Sequence, residues 1–316
     1  MNHPTVRVIA PSRLHFGMLS FGQSGLPRYG GVGAMIDSPR LEIELVAADR
    51  LEAHGPDAQR AEELARLAIA HWQLAAGCRI AIVAAPPPHV GFGTGTQMAL
   101  AIAAGLLALH GRPTSDAVEL ARPMGRAGRS AVGTYGFSMG GLIVEAGRTD
   151  EQQISPLISR MELPGAWRWV LACPTREQGL SGEAERTAFE RLPPVPLETT
   201  AQLCREVLMG MLPAAQQCRF EEFSQSLYRY SLIAGECFAA VQGGPFARPD
   251  IVKVFQSLGV QGVGQSSWGP TVFAILPNED AAQSLVQRLR NCGQAAGLNL
   301  SVARPDNRGA QVIRGA

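Results

Sequence analysis

The stretch Pro88-His89-Val90-Gly91-Phe92-Gly93-Thr94-Gly95-Thr96 runs straight into residues 97–109, which are almost wholly apolar. A run apolar on every face is expected to be a buried helix packed on a sheet. Its N-cap would be Thr94 or Thr96, and Gly111 stands just past its end. Three glycines let the backbone come close to a ligand, and two hydroxyls stand where the helix begins. The free N–H groups and positive end of such a helix suit a phosphate or pyrophosphate. A plain strand-to-helix turn has the same glycine content, so the loop alone leaves both readings open.

Upstream, residues 79–84 read as a strand stopped by Pro86-Pro87-Pro88. The spacing of Ala61, Leu64, Ala65, Ala68, Trp72 and Ala75 predicts a helix over 57–76, with Gly77 as its stop. Leu41-Glu42-Ile43-Glu44-Leu45-Val46 alternates as a half-buried strand does. Residues 6–19 read as a strand pair or one bent strand, with Pro11 at an edge or bulge. Downstream, a helix over 114–121 is interrupted by Pro123. A second glycine-rich stretch, Gly125 to Gly141, then leads into the strand Leu142-Ile143-Val144. The polar segment 147–153 is the expected domain boundary, giving domains 1–150 and 151–316. The second half reads as a strand (167–173), a loop over a site (174–196), and helices (199–212 and 220–241). A third glycine-rich turn (259–270), a strand (271–276), a helix (279–296) and a last strand (298–303) follow. That order suits an α+β sandwich with one antiparallel sheet. No repeat of 20–50 residues is visible.

Composition narrows the function. The 316 residues are 46% hydrophobic and 17% charged, enough for a real core. Lys+Arg 28 against Asp+Glu 27 leaves +1, which argues against a nucleic-acid backbone binder. Lys253 is the only lysine, so no Gly-Lys-Ser/Thr phosphate loop exists and Schiff-base chemistry is nearly excluded. A bound anion must then be held by arginine, backbone N–H groups, helix dipoles or a metal. Cys78, Cys173, Cys204, Cys218, Cys237 and Cys292 form no Cys-x-x-Cys pair, which fits burial in a reducing compartment. The N-terminal residues lack a signal-peptide pattern, and the longest apolar run, 98–109, is too short to span a bilayer. The expectation is a cytoplasmic protein with no membrane partner.

Several segments together resemble the GHMP kinase superfamily. Residues 88–96 are similar to its phosphate-binding motif, Pro11-Ser12-Arg13-Leu14-His15-Phe16-Gly17 to its first motif, and residues 262–271 to its third. More closely, the set resembles the β-ribofuranosylaminobenzene 5′-phosphate synthase family. The segments that carry the resemblance are Ser12-Arg13-Leu14-His15-Phe16, Tyr29-Gly30-Gly31-Val32-Gly33, 89–97, 128–137 and 264–271, in the expected order. The resemblance implies a two-domain α+β GHMP fold with the ligand cleft between domains. It also implies a phosphoribosyl transferase of methanopterin-type cofactor biosynthesis. In that reaction 5-phosphoribosyl 1-pyrophosphate condenses with 4-aminobenzoate or 4-hydroxybenzoate, releasing CO2 and pyrophosphate. Mg2+ is the implied cofactor, bridging pyrophosphate oxygens with thin protein ligation through Thr94 or Thr96. The expected partners are these small molecules, with no nucleic acid, and a homodimer is left open.

The candidate site follows the same segments. Arg28 and Arg13 are assigned catalytic parts because a planar guanidinium suits phosphate and benzoate carboxylate alike. Ser20 joins them because it stands where the archaeal members carry an acid. Substrate binding is assigned to Gly91, Gly93, Thr94, Gly95, Thr96, Arg129, Ser130, Thr134, Gly264, Ser266, Ser267 and Arg176. Arg126 reads as surface, and His15 and His89 lack a second ligand at metal spacing. Trp268 and Tyr135 suit either stacking on an aromatic acceptor or core packing. GHMP kinases usually carry an Asp in the second glycine-rich stretch, and Ser130-Ala131-Val132-Gly133-Thr134-Tyr135 has no acid. Proton abstraction from a substrate hydroxyl then lacks its base. The rivals are an ATP-dependent small-molecule kinase of this superfamily and a non-catalytic phosphosugar or nucleotide sensor.

Overall fold

The structure, a computed structural model, describes residues 4–113, 116–149, 154–180, 182–291, 293 and 295–315. Thr114, Cys292 and the 150–153 part of the expected boundary lie outside them. Two long strands, β1 (Thr5–Ser20) and β2 (Tyr29–Ala47), form the spine. After β3 (Leu51–His54) come α1 (Ala58–Trp72), β4 (Cys78–Ala84), α2 (Thr94–Leu109), α3 (Ala117–Ala121) and α4 (Val132–Met139). The strands β5 (Leu142–Glu145), β6 (Leu157–Met161) and β7 (Arg168–Pro174) lead to α5 (Gly182–Arg191) and α6 (Leu197–Arg205). A π-helical turn, Glu206–Met211, joins α6 to α7 (Leu212–Gln216), α8 (Phe220–Glu236), α9 (Ala239–Gln242) and α10 (Pro249–Ser257). The chain ends with β8 (Val263–Gln265), β9 (Val272–Leu276), α11 (Glu279–Asn291), β10 (Leu298–Ala303) and β11 (Gln311–Arg314).

Seven strands make the first sheet, with β11-β1-β2-β4-β3 in line and β5 and β6 continuing from the far half of β2. β2 can serve two neighbours because it is long: residues 42–47 pair with β4 and residues 31–34 with β5. β1 is one bent strand, with register shifts between Ala10 and Ser12 and between His15 and Gly17. Pro11, which has no N–H to give a ladder, sits in the first shift. α2 is buried along most of its length against this sheet, as its all-round apolar pattern requires. Gly105 lets it approach, since a Cβ there would meet the Leu45 side chain at 2.5 Å. The second sheet, β10-β7-β9-β8, is antiparallel throughout and packs on α10 and α11. Between the two sheets lies a core of Leu14, Phe16, Trp169, Phe223, Tyr230 and Phe273, among others.

Several expectations are corrected. Gly93, in the left-handed region at φ 70, is the N-cap of α2 without a side-chain bond, so neither Thr94 nor Thr96 caps it. α1 ends at Trp72, with Gln73 left-handed, well before Gly77. The second glycine-rich stretch contains α4, and the expected loop 174–196 contains α5. A division at 150 would cut one sheet, because β6 pairs with β5 and the C-terminal β11 pairs with β1. The chain leaves the first sheet after β6 and returns to it at its end.

Candidate active site

β1 organises the site. Arg13 and His15 are two apart on it and share a face. The loop before α2 is tied to this strand: the Arg13 N–H donates to the Phe92 carbonyl at 2.9 Å. Ser266 stitches the third glycine-rich turn to both. Its hydroxyl donates to the Gly91 carbonyl at 2.7 Å and accepts from the His15 N–H at 3.0 Å. The Ser267 N–H donates to the His15 carbonyl at 3.0 Å. Three segments far apart in sequence thereby meet around one opening. At Gly91, φ is 99° and a Cβ would stand 2.5 Å from the Ser266 carbonyl oxygen. Only glycine permits this closeness.

A cavity of about 560 Å³ opens over the loop. Gly91, Gly93, Thr94, Gly95 and Thr96 line it together with Arg13, Arg60, Arg126 and Arg129. The cavity lies at the N-terminal end of α2, where Thr94 and Gly95 are too early to make i−4 bonds, while the Thr96 N–H turns back to the Gly93 carbonyl at 3.0 Å. Burial lowers the pKa of Arg13 to about 10, against the opposing pull of Glu145 and Glu185. Burial also lowers Arg126, and neighbouring Arg60 adds repulsion of the same sign. Four guanidiniums around a helix N-terminus form a strong anion site. Glu185 of α5 holds part of it: its carboxylate accepts from Arg129, and from the Trp268 indole N–H at 3.1 Å. The Arg129 guanidinium lies 4.9 Å from the Phe189 ring centroid, one turn further along α5.

Beside this cavity lies a narrow cleft of about 40 Å³. The two share Ser267 and Trp268 in their walls. The cleft is lined by Phe16, Met18, Phe189, Phe238 and Trp268, with a polar set of His15, Ser231, Gln242 and Gln265. Phe238 and Trp268 pack edge to face at 4.9 Å, and Phe189 meets Trp268 at 5.5 Å. The Ser231 hydroxyl is buried without a hydrogen-bond partner. By volume the cleft holds a few waters or the polar head of a ring substituent.

Beneath both lies a buried chain of polar groups. The His15 Nε2 is 3.0 Å from the Ser130 hydroxyl, which donates to Glu145 Oε1 at 2.7 Å. Glu145 Oε2 accepts from the Ala131 N–H at 2.8 Å, at the start of α4. Burial pushes the Glu145 carboxyl up from its ordinary value, opposed by its bonds from Ser130, Ala131, Ser155 and Val132. His15 is held well below the usual imidazole range by burial, with Arg13 adding to it, so it is neutral at pH 7.

Of the residues singled out from sequence, Arg13, Gly91, Gly93, Thr94, Gly95, Thr96, Arg129 and Ser267 converge on the large cavity. Others do not line either cavity. Ser266 is fully buried as the stitch described above. Ser130 lies between His15 and Glu145, hydrogen-bonded to both. Thr134 is buried in α4 with its hydroxyl unpartnered. Gly264 lies behind the cleft in β8, where a Cβ would meet Phe273 and the Ser231 hydroxyl. Arg176 is exposed. Ser20 is no substitute acid: its hydroxyl donates to the Pro27 carbonyl at 2.7 Å, closing the turn that carries Arg28. Arg28 itself is half-buried at the entry to β2, with its backbone paired to Arg148. Arg126, read as surface, instead lines the cavity, and Trp268 belongs to both cavity walls. Sequence reasoning missed Arg60, Glu185 and Glu145. Arg60 stands in the first turn of α1.

The chain spans most of the length of the relatives it matches. It is 30% identical to the β-ribofuranosylphenol 5′-phosphate synthase of Archaeoglobus fulgidus, covering 97% of this chain and 99% of that protein. The protein of the same name from Methanothermobacter thermautotrophicus is also 30% identical, over 84% of this chain and 87% of its own. The family described as GHMP kinases N terminal domain matches residues 59–141, and GHMP kinases C terminal matches residues 248–295. The fold is similar to that of homoserine kinase from Cytophaga hutchinsonii, with a TM-score of 0.67 at 15% identity over 98% of this chain and 97% of that one. No described helix is long and apolar enough to cross a membrane. The chain belongs to the β-ribofuranosylphenol 5′-phosphate synthase family, built on the two-domain α+β GHMP kinase fold.

Proposed function

We propose that this protein is a phosphoribosyl transferase that makes a C-riboside from 5-phosphoribosyl 1-pyrophosphate and a 4-hydroxy- or 4-aminobenzoate, releasing CO2 and pyrophosphate. The observation that carries the reading is the pair of adjacent cavities that share the Ser267 and Trp268 wall. One is lined by four arginines around a glycine loop, and the other is aromatic with a polar set. The donor's phosphates rest on the loop N–H groups and on Arg13, Arg60, Arg126 and Arg129. As pyrophosphate leaves C1 of the ribose, these groups stabilise the charge it takes away. The acceptor ring stands against the shared Trp268 wall, its carboxylate-bearing carbon toward C1 and its para substituent in the cleft. Phe189 and Phe238 shift to admit it. Arg28 pairs with the acceptor carboxylate. Support for this comes from neighbouring Tyr29, whose ring packs 6.3 Å from Phe189 of the aromatic wall.

Among the described residues no cluster of three His, Cys, Asp or Glu could cage a metal. A Mg2+ ion carried on the donor fits better, because the Thr96 hydroxyl and the Asp57 and Glu185 carboxylates stand on the cavity wall. Thr94 contributes less, since its hydroxyl is turned to the Pro87 carbonyl at 3.4 Å. When bound, Mg2+ would neutralise charge on the leaving pyrophosphate. The protein works in the cytoplasm in this reading, a place that suits its five described free cysteines. Its product is the first C-riboside of a methanopterin-type carrier.

The test is to mix protein, Mg2+, the pyrophosphate donor and either benzoate, and to follow CO2 and pyrophosphate. Both are expected in equal amounts. The fold likeness to homoserine kinase keeps ATP as the comparison arm. Glu145 is buried with both oxygens engaged, so it offers no base to a substrate hydroxyl in the cavity. ADP formation dependent on a small alcohol or amine, without CO2, would replace this reading with a kinase.

A further inference from the structure

The Ser130 hydroxyl has one proton to give. Both Glu145 oxygens accept, Oε1 from the Ser130 hydroxyl at 2.7 Å and Oε2 from the Ala131 N–H at 2.8 Å, while the Val132 N–H turns to the Ser130 oxygen at 3.3 Å. Ser130 therefore donates to Glu145 and must accept from His15. That fixes the His15 proton on Nε2 and leaves the lone pair on Nδ1. His15 also lines the cleft, where the orphaned Ser231 hydroxyl waits for a polar group. The cleft's small volume suits the head of a para substituent.

We propose that His15 Nδ1 takes the para proton of the benzoate and later returns it, with Ser130 and Glu145 as positioning residues that hold the tautomer, and Ser231 hydrogen-bonding the same substituent. The proposal rests on the acceptor reading above. With 4-hydroxybenzoate, the ring carbon bearing the carboxylate forms a bond to ribose C1 while the C1–O bond to pyrophosphate breaks and its electron pair leaves with pyrophosphate. The phenolic proton passes to Nδ1, giving an imidazolium and a dienone whose ring is uncharged and which still carries its carboxylate. The ring–carboxylate bond then breaks, CO2 departs and its electron pair restores the aromatic ring as a phenolate. The imidazolium returns the proton, so no proton is gained or lost overall. A ring with a para methoxy group has no proton to give and is not a substrate.

Nitrogen-15 NMR of the His15 ring together with steady-state kinetics of the full chain tests this. Wild type is expected to show the Nε2–H tautomer at neutral pH. In Glu145→Gln the amide donates to Ser130, Ser130 then donates to Nε2, and the Nδ1–H tautomer appears. kcat with 4-hydroxybenzoate is expected to fall on the order of 100- to 10,000-fold while donor affinity holds. Ser130→Ala serves if Glu145→Gln does not fold, and it too should lower kcat at unchanged donor affinity. An Nδ1–H or imidazolium signal in wild type overturns the proposal. So does a folded Glu145→Gln, or failing that a folded Ser130→Ala, with kcat within threefold of wild type. A wild type that turns over no benzoate overturns the acceptor reading and this proposal together. Benzoate turnover that both substitutions spare overturns the relay alone.

Discussion

The two cavities share the wall of Ser267 and Trp268 and are otherwise opposites. The larger is built from backbone N–H groups and guanidiniums, with charge held in place before any ligand arrives. The smaller is built from ring faces and a few neutral polar groups, and is nearly filled by its own side chains. Preorganised charge is what a departing pyrophosphate needs, whereas an aromatic acceptor needs shape and a place for one proton. A kinase would also need an acceptor site, but with a base placed to take the proton of an acceptor hydroxyl. The aromatic make-up of the second cavity, side by side with the first along one strand, is what separates this site from phosphoryl transfer on the same fold.

Substitutions should therefore divide into two classes. Gly93→Val is expected to act most strongly, and on the donor side only. Gly93 is at φ 70, and its Cβ would stand 3.4 Å from the Arg13 side chain, so both the loop geometry and the arginine are disturbed. Donor affinity measured by calorimetry should fall on the order of a thousandfold, about 4 kcal/mol. Unchanged affinity would remove the donor from this loop. Arg28→Ala comes next, with a loss of about 2–4 kcal/mol in transition-state stabilisation if the guanidinium pairs with the acceptor carboxylate. Arg28→Lys should lose part of this, since the charge stays and the fork goes. Full kcat/KM for both substrates in Arg28→Ala would make the residue structural.

Phe238→Leu addresses the cleft alone. It removes an edge-to-face contact with Trp268 and should raise the acceptor KM about three- to tenfold, in keeping with about 0.5–1.5 kcal/mol for such a pair. Donor affinity should not move, and a parallel loss of both would mean that the cavities are not separate sites. The smallest effect concerns pH. Arg13, lowered to about 10 by burial, is charged at neutral pH and below, and becomes neutral as pH rises through that value. Donor binding should hold to about pH 9 and then weaken several-fold. A flat profile to pH 11 would show that the bound phosphates hold the Arg13 proton.

The donor cavity was the more legible half in sequence, and the reason is covalent. A backbone that passes close to another segment or takes a positive φ requires glycine, and Gly91 marks the first case and Gly93, at φ 70, the second. The all-round apolar helix behind them was legible for the same kind of reason, because α2 has no face left for water. The cleft was hidden because it is assembled from afar. Phe189 sits on α5, whose polar sequence buries Ala188 and little else, so the segment reads as a loop. Glu145 reads as the residue just past a short strand. It becomes the acid of the second glycine-rich segment only when β5 pairs with β2 and sets its side chain under α4. The return of β11 to β1 from beyond residue 150 was hidden likewise, because it depends on register that no local pattern encodes.

The central claim is that a carbon–carbon bond joins ribose to the ring. The direct measurement uses a donor labelled with carbon-13 at ribose C1 and a 4-hydroxybenzoate labelled at the ring carbon bearing the carboxylate. The account expects a one-bond carbon–carbon coupling between the two labels in the product's NMR spectrum, with the carboxylate gone. A product that keeps its carboxylate and carries ribose on oxygen, with no such coupling, would contradict it.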